Sequence, residues 1–469
     1  MARTSRLGVG VDFGTSNSVV ATYDGKEVNL IPLENASHIL PSAVYIDRQL
    51  KTQTGNSAIA AYIESNYGRK VDLVPEVVGR AELLVATDSD EMSRKAPETI
   101  TVDSHSDAMI DIGLPGRLFR GVKRLLGDVD TDRLMVFERP FRLVALITPI
   151  LLRIRTAVSH RKGLDCYVGR PVKFEGRSDQ TNAIALQRLK EACSHAGLTV
   201  VADMPEPVAA TIAYIDSRDR RNNTILTFDF GGGTLDLAIV SVDGSEQQVL
   251  ATHGIGMGGD HIDQLLFEQL LFPLLGKGKM WKRRGVDRDI ETQFPFERYE
   301  HFLLNWSMSY MLNQGHFRGP IADQIAVGGE VGRSFQRLDD LIVFNQCFEI
   351  FQALRLMKEE LSNESAALLD LPQIDIELEV TRAWFDRLID PFLLEVKDAL
   401  DTVVAMADID ASAIDVVICT GGSSLIPAVQ ELIHGHFHAQ IETYDPFASV
   451  ARGLAIASYR GGHVAMENR

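Results

Sequence analysis

A motif that occurs twice limits what this chain can fold into more than any other feature of the sequence. Residues 7–23 read LGVGVDFGTSNSVVATY, and residues 224–242 read TILTFDFGGGTLDLAIVSV. Each copy is a β-type run, then Asp-Phe-Gly, then small residues, then a second β-type run. This order is typical of a β-hairpin, because glycine permits a positive φ in the turn. Two copies so far apart predict a duplicated fold rather than a solenoid.

The two turns also predict a phosphate-binding site. Small residues after a strand let backbone N–H groups point toward one place, where they bind an anion, and hydroxyl groups add further donors. The alternative is that both are tight hairpins that bind no ligand. This alternative is less favoured because the motif occurs twice. The residues in question are Gly14, Thr15 and Ser16 in the first turn and Gly231, Gly232, Gly233 and Thr234 in the second.

The aspartate of each copy indicates which ion accompanies the phosphate. Asp12 and Asp229 would repel a phosphate group unless a cation lay between them, and Mg²⁺ fills that place while keeping several of its waters. Both aspartates are therefore candidate magnesium ligands, largely through water. The alternative is that each carboxylate only caps its turn.

The rest of the chain alternates between helical and strand patterns, which predicts a layered α/β fold. Helices are expected at 181–196, 207–214, 260–275 (with Asp260 as N-cap), 348–361, 381–403 and from Pro427 onward, and a strand at 414–419. Residues 64–115 and 276–345 have weaker patterns and are interpreted as insertions at the tips of two lobes.

Length, charge and cysteine content exclude several classes of protein. A chain of 469 residues exceeds one ordinary core and predicts at least two lobes, and a net charge of −17 argues against a nucleic-acid partner. The four scattered cysteines form no C-x-x-C pair, which favours a reducing cytoplasm. The apolar start is interrupted at Asp12, and the most apolar run, 143–152, is too short to span a bilayer. We therefore expect a cytoplasmic protein with no membrane partner.

Other phosphate-handling motifs are missing from the sequence. It contains no G-x-x-x-x-G-K-[ST] loop and no His-Arg-Asp loop before either Asp-Phe-Gly.

A series of blocks resembles the actin-like ATPase superfamily, and within it the DnaK-type heat shock protein 70 family. The blocks occur in order: VDFGTSNSVVA (11–21), VKRLLG (122–127), EPVAATIAY (206–214), DFGGGTLDLAIV (229–240), GMGGDHID (256–263), KEELS (358–362), VICTGGSSLIP (417–427) and ASVARGLAIAS (448–458). The resemblance implies the duplicated ribonuclease H-like fold, the nucleotides ATP and ADP, Mg²⁺, and protein clients or co-chaperones as partners.

The same resemblance implies a division into two lobes. Lobe I would contain 1–215 and 440–469, with a tip at about 41–139, and lobe II would contain 216–439, with a tip at about 260–378. The chain resembles short members of the family that consist of the nucleotide-binding domain alone, and no peptide-binding domain is expected.

The resemblance assigns roles to individual positions. Lys123 matches the lysine that orients the attacking water, Glu206 a carboxylate near the water shell of the metal, and Asp236 a polar group near the attack path. Asp229, Thr15 and Thr234 lie at the metal and the terminal phosphates. The remaining nucleotide contacts would come from Gly258, Gly259, Lys358, Ser362, Gly421, Gly422 and Ser423.

The adenosine side departs from the family pattern. Leu425 stands where the family has an arginine that stacks on adenine, Arg355 replaces an acidic residue, Glu359 a basic one, and Phe447 an aspartate. We therefore expect weaker nucleotide binding or an altered base preference. Three functions remain open: a slow ATPase switch related to chaperones, a nucleotide-binding scaffold without useful turnover, and a small-molecule kinase.

Overall fold

The computed structural model describes residues 6–85, 98–159, 163–174, 180–218, 223–244, 246–284, 289–461 and 465–466. Within these ranges the strands are β1 (Gly8–Phe13), β2 (Asn17–Tyr23), β3 (Val28–Leu30), β4 (Leu40–Pro41), β5 (Ala43–Asp47), β6 (Thr52–Thr54), β7 (Leu73–Val85), β8 (Glu98–Asp111), β9 (Gly116–Arg120), β10 (Arg133–Val136), β11 (Arg139–Arg142), β12 (Leu164–Arg170), β13 (Leu198–Pro205), β14 (Asn223–Phe230), β15 (Leu235–Asp243), β16 (Glu246–Ile255), β17 (Met280–Arg284), β18 (Asp289–Gln293), β19 (Ala366–Leu371), β20 (Ile376–Thr381), β21 (Val416–Thr420), β22 (Gln440–Thr443) and β23 (Ala465–Met466).

The α-helices of the described ranges are α1 (Asn56–Asn66), α2 (Leu143–Val158), α3 (Gln180–Ala196), α4 (Glu206–Arg218), α5 (Gly259–Leu266), α6 (Glu297–Leu304), α7 (Gly315–Val327), α8 (Gly329–Val343), α9 (Cys347–Leu361), α10 (Arg382–Met406), α11 (Pro427–His436) and α12 (Ser449–Arg460). A short 3-10 helix covers Val122–Gly127, and another covers Gly422–Leu425.

Two six-stranded sheets share one strand order. The first runs β13-β12-β1-β2-β3, with β4 beside β2, and the second runs β22-β21-β14-β15-β16-β23. In each sheet the repeated hairpin is antiparallel, and its first strand has a parallel neighbour on the other side. The predicted α/β fold and its duplication are therefore confirmed.

Glycines allow helix α12 to lie directly on strand β1 and across helix α4. A Cβ atom on Gly10 would lie 2.3 Å from the carbonyl oxygen of Ala451, and one on Gly453 would lie 1.7 Å from that of Ala209. No other residue type fits at such a separation. The segments 206–214 and 448–458, both rich in small residues, therefore pack closely against each other.

One predicted helix is wrong in its N-cap and in its length. The helix expected at 260–275 begins after Gly258, ends at Leu266, and gives way to a π turn and a 3-10 turn. Pro273 lies at the start of the 3-10 turn, and its missing N–H cannot continue an α-helix. Asp260 is not the N-cap, because its carboxylate accepts hydrogen bonds from Ser16 and Arg124 instead.

Strand pairing also shifts one predicted boundary. Residues 440–443 were expected to begin the return to lobe I, but they form β22, which pairs with β21 in the second sheet. The return to the first sheet therefore begins after Thr443, with helix α12.

Strand β5 places its side chains in two different cores. Val44 and Ile46 belong to the apolar cluster around the first sheet, whereas Ala43 and Tyr45 belong to a larger cluster that includes the second sheet and its helices. This division follows from the two-residue period of a strand. Helix α1 contributes Tyr62 to the larger cluster, which is therefore built from both halves of the chain.

All four cysteines are free and buried. Cys166 and Cys193 lie in the apolar cluster of the first sheet, and Cys347 and Cys419 lie in the larger cluster. Within the described ranges, no helix combines the length and the apolar character needed to cross a bilayer.

Candidate functional site

The turns of the two repeated hairpins face each other across a shared cavity. A Cβ atom on Gly232 would lie 3.1 Å from Ser16 Oγ, and one on Gly233 would lie 3.3 Å from Thr15 Oγ1. The cavity has a volume of about 750 Å³, and both turns line it. The structure thus brings together two turns that lie more than two hundred residues apart in the sequence and that the sequence predicts to bind an anion.

Backbone contacts hold the second turn in place. The N–H groups of Gly259 and Asp260 donate to the carbonyl oxygens of Gly231 and Gly232 at 3.0 and 2.8 Å. Gly258 is required there, because a Cβ atom on it would lie 2.3 Å from the oxygen of Gly232.

A second glycine requirement concerns the loop after β21. Gly421 has a φ of 79°, and a Cβ atom on it would lie 2.3 Å from the oxygen of Phe230. Ser423 Oγ donates to the oxygen of Gly231 at 3.2 Å, which joins this loop to the second turn. The predicted nucleotide contacts at Gly421, Gly422 and Ser423 therefore line the same cavity.

Lys123 enters the cavity from the short 3-10 helix that follows β9. Gly121 precedes this helix with a φ of 64°, a left-handed conformation that glycine adopts without strain. Lys123 Nζ donates to Glu206 Oε1 at 2.7 Å, and both side chains are buried. Burial acts to lower the pKa of Lys123, but the charges of Glu206 and Asp12 outweigh it and raise that pKa, so the amine stays protonated.

Burial and mutual repulsion destabilise the charged forms of the carboxyl groups around Lys123. Burial, followed by the charge of Glu206, raises the pKa of Asp12 and that of Asp236 to about 7. The pKa of Asp229 is raised as well, by burial and by the same neighbours. One lysine cannot balance four carboxylates, so the cluster favours an added cation.

A hydrated magnesium ion fits this donor set. Among the described residues, no three His, Cys, Asp or Glu side chains converge closely enough to ligate a bare metal ion. Because Mg²⁺ keeps much of its water shell, Asp12 and Asp229 would hold it largely through water.

A second group of charged residues also lines the cavity. Lys358 Nζ donates to Asp263 Oδ1 and, at 3.3 Å, to the oxygen of Gly259. Ser362 Oγ donates to the oxygen of Lys358 at 3.1 Å, so this hydroxyl is directed at its own helix. Arg355 Nε lies 3.8 Å from Asp263 Oδ2.

Exposed apolar side chains also line the cavity. Phe447 is 54% exposed and Leu425 is 38% exposed, although both line the cavity. Phe447 Cε1 lies 3.5 Å from the position of a Cβ atom on Gly422. Glu359 lies on the facing helix α9 and is also exposed to the cavity.

Sequence reasoning missed several charged residues of the cavity. Asp263 pairs with Lys358, and Asp260 connects the two turns through Ser16 Oγ and Arg124 Nη2, each at 3.2 Å. The signal for Asp263 was Lys358 itself, because a buried lysine needs a carboxylate partner. No comparable signal existed for Arg120, whose guanidinium lies 4.8 Å from the ring centre of Trp306.

Two mixed sheets of the same strand order, each contributing a glycine turn to one cavity, define the actin-like ATPase fold. Within this class the chain belongs to the Hsp70 family, because the family model described as Hsp70 protein matches residues 8–123, 182–280 and 347–462. The second unmatched stretch, 281–346, nearly coincides with the insertion predicted at 276–345. The insertion predicted at 64–115, in contrast, lies inside a matched range.

Curated relatives agree with this assignment. The chain is 25% identical over 460 residues to "Chaperone protein dnaK" of Cyanidioschyzon merolae, covering 96% of this chain and 61% of the relative. It is 25% identical over 463 residues to the protein of that name from Guillardia theta (96% and 59%) and 24% identical over 459 residues to that from Trieres chinensis (96% and 60%). The chain thus spans about three-fifths of the length of these relatives.

Proposed function

We propose that this chain binds Mg-ATP between two lobes and hydrolyses it slowly, so that the bound nucleotide controls lobe closure in a chaperone-related role. The observation that carries the proposal is the pair of facing glycine turns, backed by Lys123 among four carboxyl groups. The lobes would follow the predicted division, with the return to lobe I placed after Thr443. Protein clients or co-chaperones in the cytoplasm are the partners that the family membership suggests.

The residues of the site suit phosphoryl transfer, which depends mainly on positioning and charge stabilisation. Backbone N–H groups of the two turns and the hydroxyls of Thr15 and Thr234 would bind the phosphates. Lys123 would orient the attacking water and stabilise charge on the transferring group. A magnesium ion held at Asp12 and Asp229 would neutralise phosphate charge.

A specific observation keeps the second function open. The adenosine end lacks the arginine that stacks on the base in the family, and it carries Leu425 and Phe447 instead. A nucleotide-binding scaffold without useful turnover would retain the same turns. A small-molecule kinase would require an acceptor in the cavity.

Two measurements test the proposal together. The thermal midpoint should rise with Mg-ATP by an amount that grows with RT ln(1 + [L]/Kd), and phosphate should be released with no added acceptor. A rise without phosphate release supports the scaffold, and release only with an added acceptor supports the kinase. No rise with any nucleotide, with or without magnesium, contradicts the proposal.

Replacing Asp12 with asparagine should stabilise the unliganded protein at pH 8 and weaken the magnesium dependence of ATP binding. Because the folded-state pKa of Asp12 is raised to about 7, the folded protein binds a proton between pH 4 and 7 that the unfolded chain has lost. Stability therefore falls as the pH rises through this window, and asparagine removes that loss. We expect a gain of roughly 1 kcal/mol at pH 8 and little gain at pH 4, measured by thermal unfolding.

Asp203→Asn is the control of opposite sign. Burial acts to raise the pKa of Asp203, but Lys190 and Arg170 outweigh it and lower that pKa, so asparagine should reduce stability at pH 8.

If magnesium strengthens ATP binding equally in Asp12→Asn and in the wild type, Asp12 has no role at the metal.

Replacing Phe447 with alanine should weaken ADP binding about tenfold, because stacking of a base on an aromatic ring contributes ~1–3 kcal/mol. Inorganic triphosphate, which has no base, should bind both proteins equally. Leu394→Ala is the control, since Leu394 is an exposed apolar residue on α10 that does not line the cavity. Unchanged ADP affinity in Phe447→Ala would exclude the stacking role.

Comparable wild-type affinities for Mg-ATP and Mg-GTP would support an altered base preference, whereas tight binding of ATP alone would contradict both expectations for the adenosine end.

A further inference from the structure

Two carboxylates of helix α5 are shared among three cationic side chains of the cavity. Asp260 and Asp263 lie three residues apart in this helix, so they occupy one face of it. Arg124 Nη2 donates to Asp260 Oδ2 at 3.2 Å. Asp263 has two partners, because Lys358 Nζ donates to its Oδ1 and Arg355 Nε lies 3.8 Å from its Oδ2. One carboxylate thus serves two cations.

Arg120 adds a fourth cation, and no carboxylate pairs with it. Its guanidinium lies 4.8 Å from the ring centre of Trp306, and within the part of the chain that the structure describes it forms no hydrogen bond and no ion pair. Burial lowers the pKa of Arg120, and the positive charges of Arg355 and Arg124 add to that effect against the two carboxylates of α5. Because such electrostatic effects weaken with distance, Arg120 lies beside the same set of charges.

These four side chains, which we call the cationic group, all line the cavity: Arg120, Arg124, Arg355 and Lys358. With two carboxylates among them, they leave a formal excess of two positive charges. Glu359 also lines the cavity but forms no ion pair with any of the four. A partly buried excess of charge is unfavourable until a counter-ion balances it, so the cationic group favours an anion.

The cationic group borders the second glycine turn. Arg124 Nη2 lies 3.1 Å from the position of a Cβ atom on Gly233. Lys358 Nζ donates to the oxygen of Gly259, whose own N–H donates to the oxygen of Gly231. A nucleotide with its phosphates in the two turns would therefore have the cationic group beside it.

We propose that the cationic group binds a phosphate group of the nucleotide in addition to those held by the two turns. This inference rests on the proposed nucleotide binding and narrows its ligand to a nucleotide that carries this additional phosphate. Guanidinium groups suit the task, because their planar fork donates two parallel hydrogen bonds to phosphate oxygens. The contact of Arg120 with Trp306 orients one fork in advance, which lowers the entropy lost on binding.

Two kinds of nucleotide supply such a phosphate, and matched pairs of ligands distinguish them. Adenosine 2′,5′-bisphosphate and adenosine 3′,5′-bisphosphate are compared with AMP, and adenosine 5′-tetraphosphate is compared with ATP, by calorimetric titration and by thermal midpoint. The additional phosphate should strengthen binding about tenfold or more, since hydrogen bonds between charged groups are the strong ones. A gain with a bisphosphate assigns the cationic group to the ribose, and a gain with the tetraphosphate assigns it to the 5′ chain.

Arginine variants test whether the gain comes from the cationic group. Arg120→Gln and Arg355→Gln should each remove most of the gain, and Arg355→Lys should keep part of it, because lysine retains the charge without the fork. Arg48→Gln is the control, since the guanidinium of Arg48 also lies 4.8 Å from a ring centre, that of Phe137, but does not line the cavity. This variant should keep the wild-type gain.

The outcomes separate this inference from the proposed function. Equal affinity within both pairs of ligands would overturn the role of the cationic group, and so would a full gain in both Arg120→Gln and Arg355→Gln. In either case, binding of ATP would leave the proposed nucleotide site standing. If none of these nucleotides binds, with or without magnesium, the proposed function fails and the role of the cationic group fails with it.

Discussion

Replacing Lys123 with alanine is expected to lower the turnover number of ATP hydrolysis by more than tenfold and to leave ATP binding largely intact. A tenfold loss corresponds to about 1.4 kcal/mol of transition-state free energy. The physical reason is the position of the ammonium group, which is buried, hydrogen bonded to Glu206, and adjacent to the carboxyl groups behind the two turns. Its charge is directed at the place where the transferring phosphoryl group would lie, whereas backbone N–H groups supply much of the ground-state binding.

A lysine outside the cavity provides the control for this experiment. Lys190 Nζ lies 2.7 Å from Asp203 Oδ1, the same separation as in the pair of Lys123 with Glu206, but it does not line the cavity. Lys190→Ala should leave turnover unchanged. Phosphate release under single-turnover conditions is the measurement, and equal rates for Lys123→Ala and the wild type would remove Lys123 from the mechanism.

Replacing Gly453 with alanine is expected to cause a large loss in the free energy of unfolding. The added methyl group would lie 1.7 Å from the carbonyl oxygen of Ala209, so helices α12 and α4 would have to separate. Gly10 likewise allows α12 to lie in contact with β1, so a displacement of α12 would also disturb the first sheet. We expect a loss of about 3 kcal/mol or more in the free energy of unfolding.

Gly435 supplies the matched control, since it also lies in a helix but has no atom within 4 Å of its Cβ position. Gly435→Ala should be neutral or should stabilise the protein by up to about 1 kcal/mol, as alanine favours the helical state. Urea unfolding of the two variants measures both effects. A loss below about 1 kcal/mol in Gly453→Ala would mean that the helix crossing tolerates separation.

The parts of the fold that sequence predicted well are those encoded over short distances. The two hairpins were visible because Asp-Phe-Gly and its turn lie between β-type runs. Helices α3 and α9 begin and end within one residue of their predicted limits, whereas α4 and α10 continue four and three residues beyond theirs. Helix α5 was misjudged because apolar spacing continues beyond Leu266, whereas Pro273 and the packing of Phe267 and Phe272 impose other turns.

Contacts between distant segments could not be predicted in the same way. The pairing of Lys358 with Asp263 joins two helices, and the contact of Asp260 with Ser16 joins the two repeated hairpins. Nothing near Trp306 in the sequence indicates that Tyr62 packs against it. Such partners are selected by three-dimensional packing, on which local propensity has no influence.

The buried cysteines give the chain an internal set of chemical reporters. Burial raises the pKa of Cys166 and of Cys347 to about 12 and that of Cys419 to about 11, so almost no reactive thiolate exists at neutral pH. A disulfide reagent can then modify a cysteine only after the surrounding core has opened. Because Cys166 and Cys193 lie in the cluster around the first sheet and Cys347 and Cys419 lie in the larger cluster, their rates of modification report separately on the opening of these two clusters.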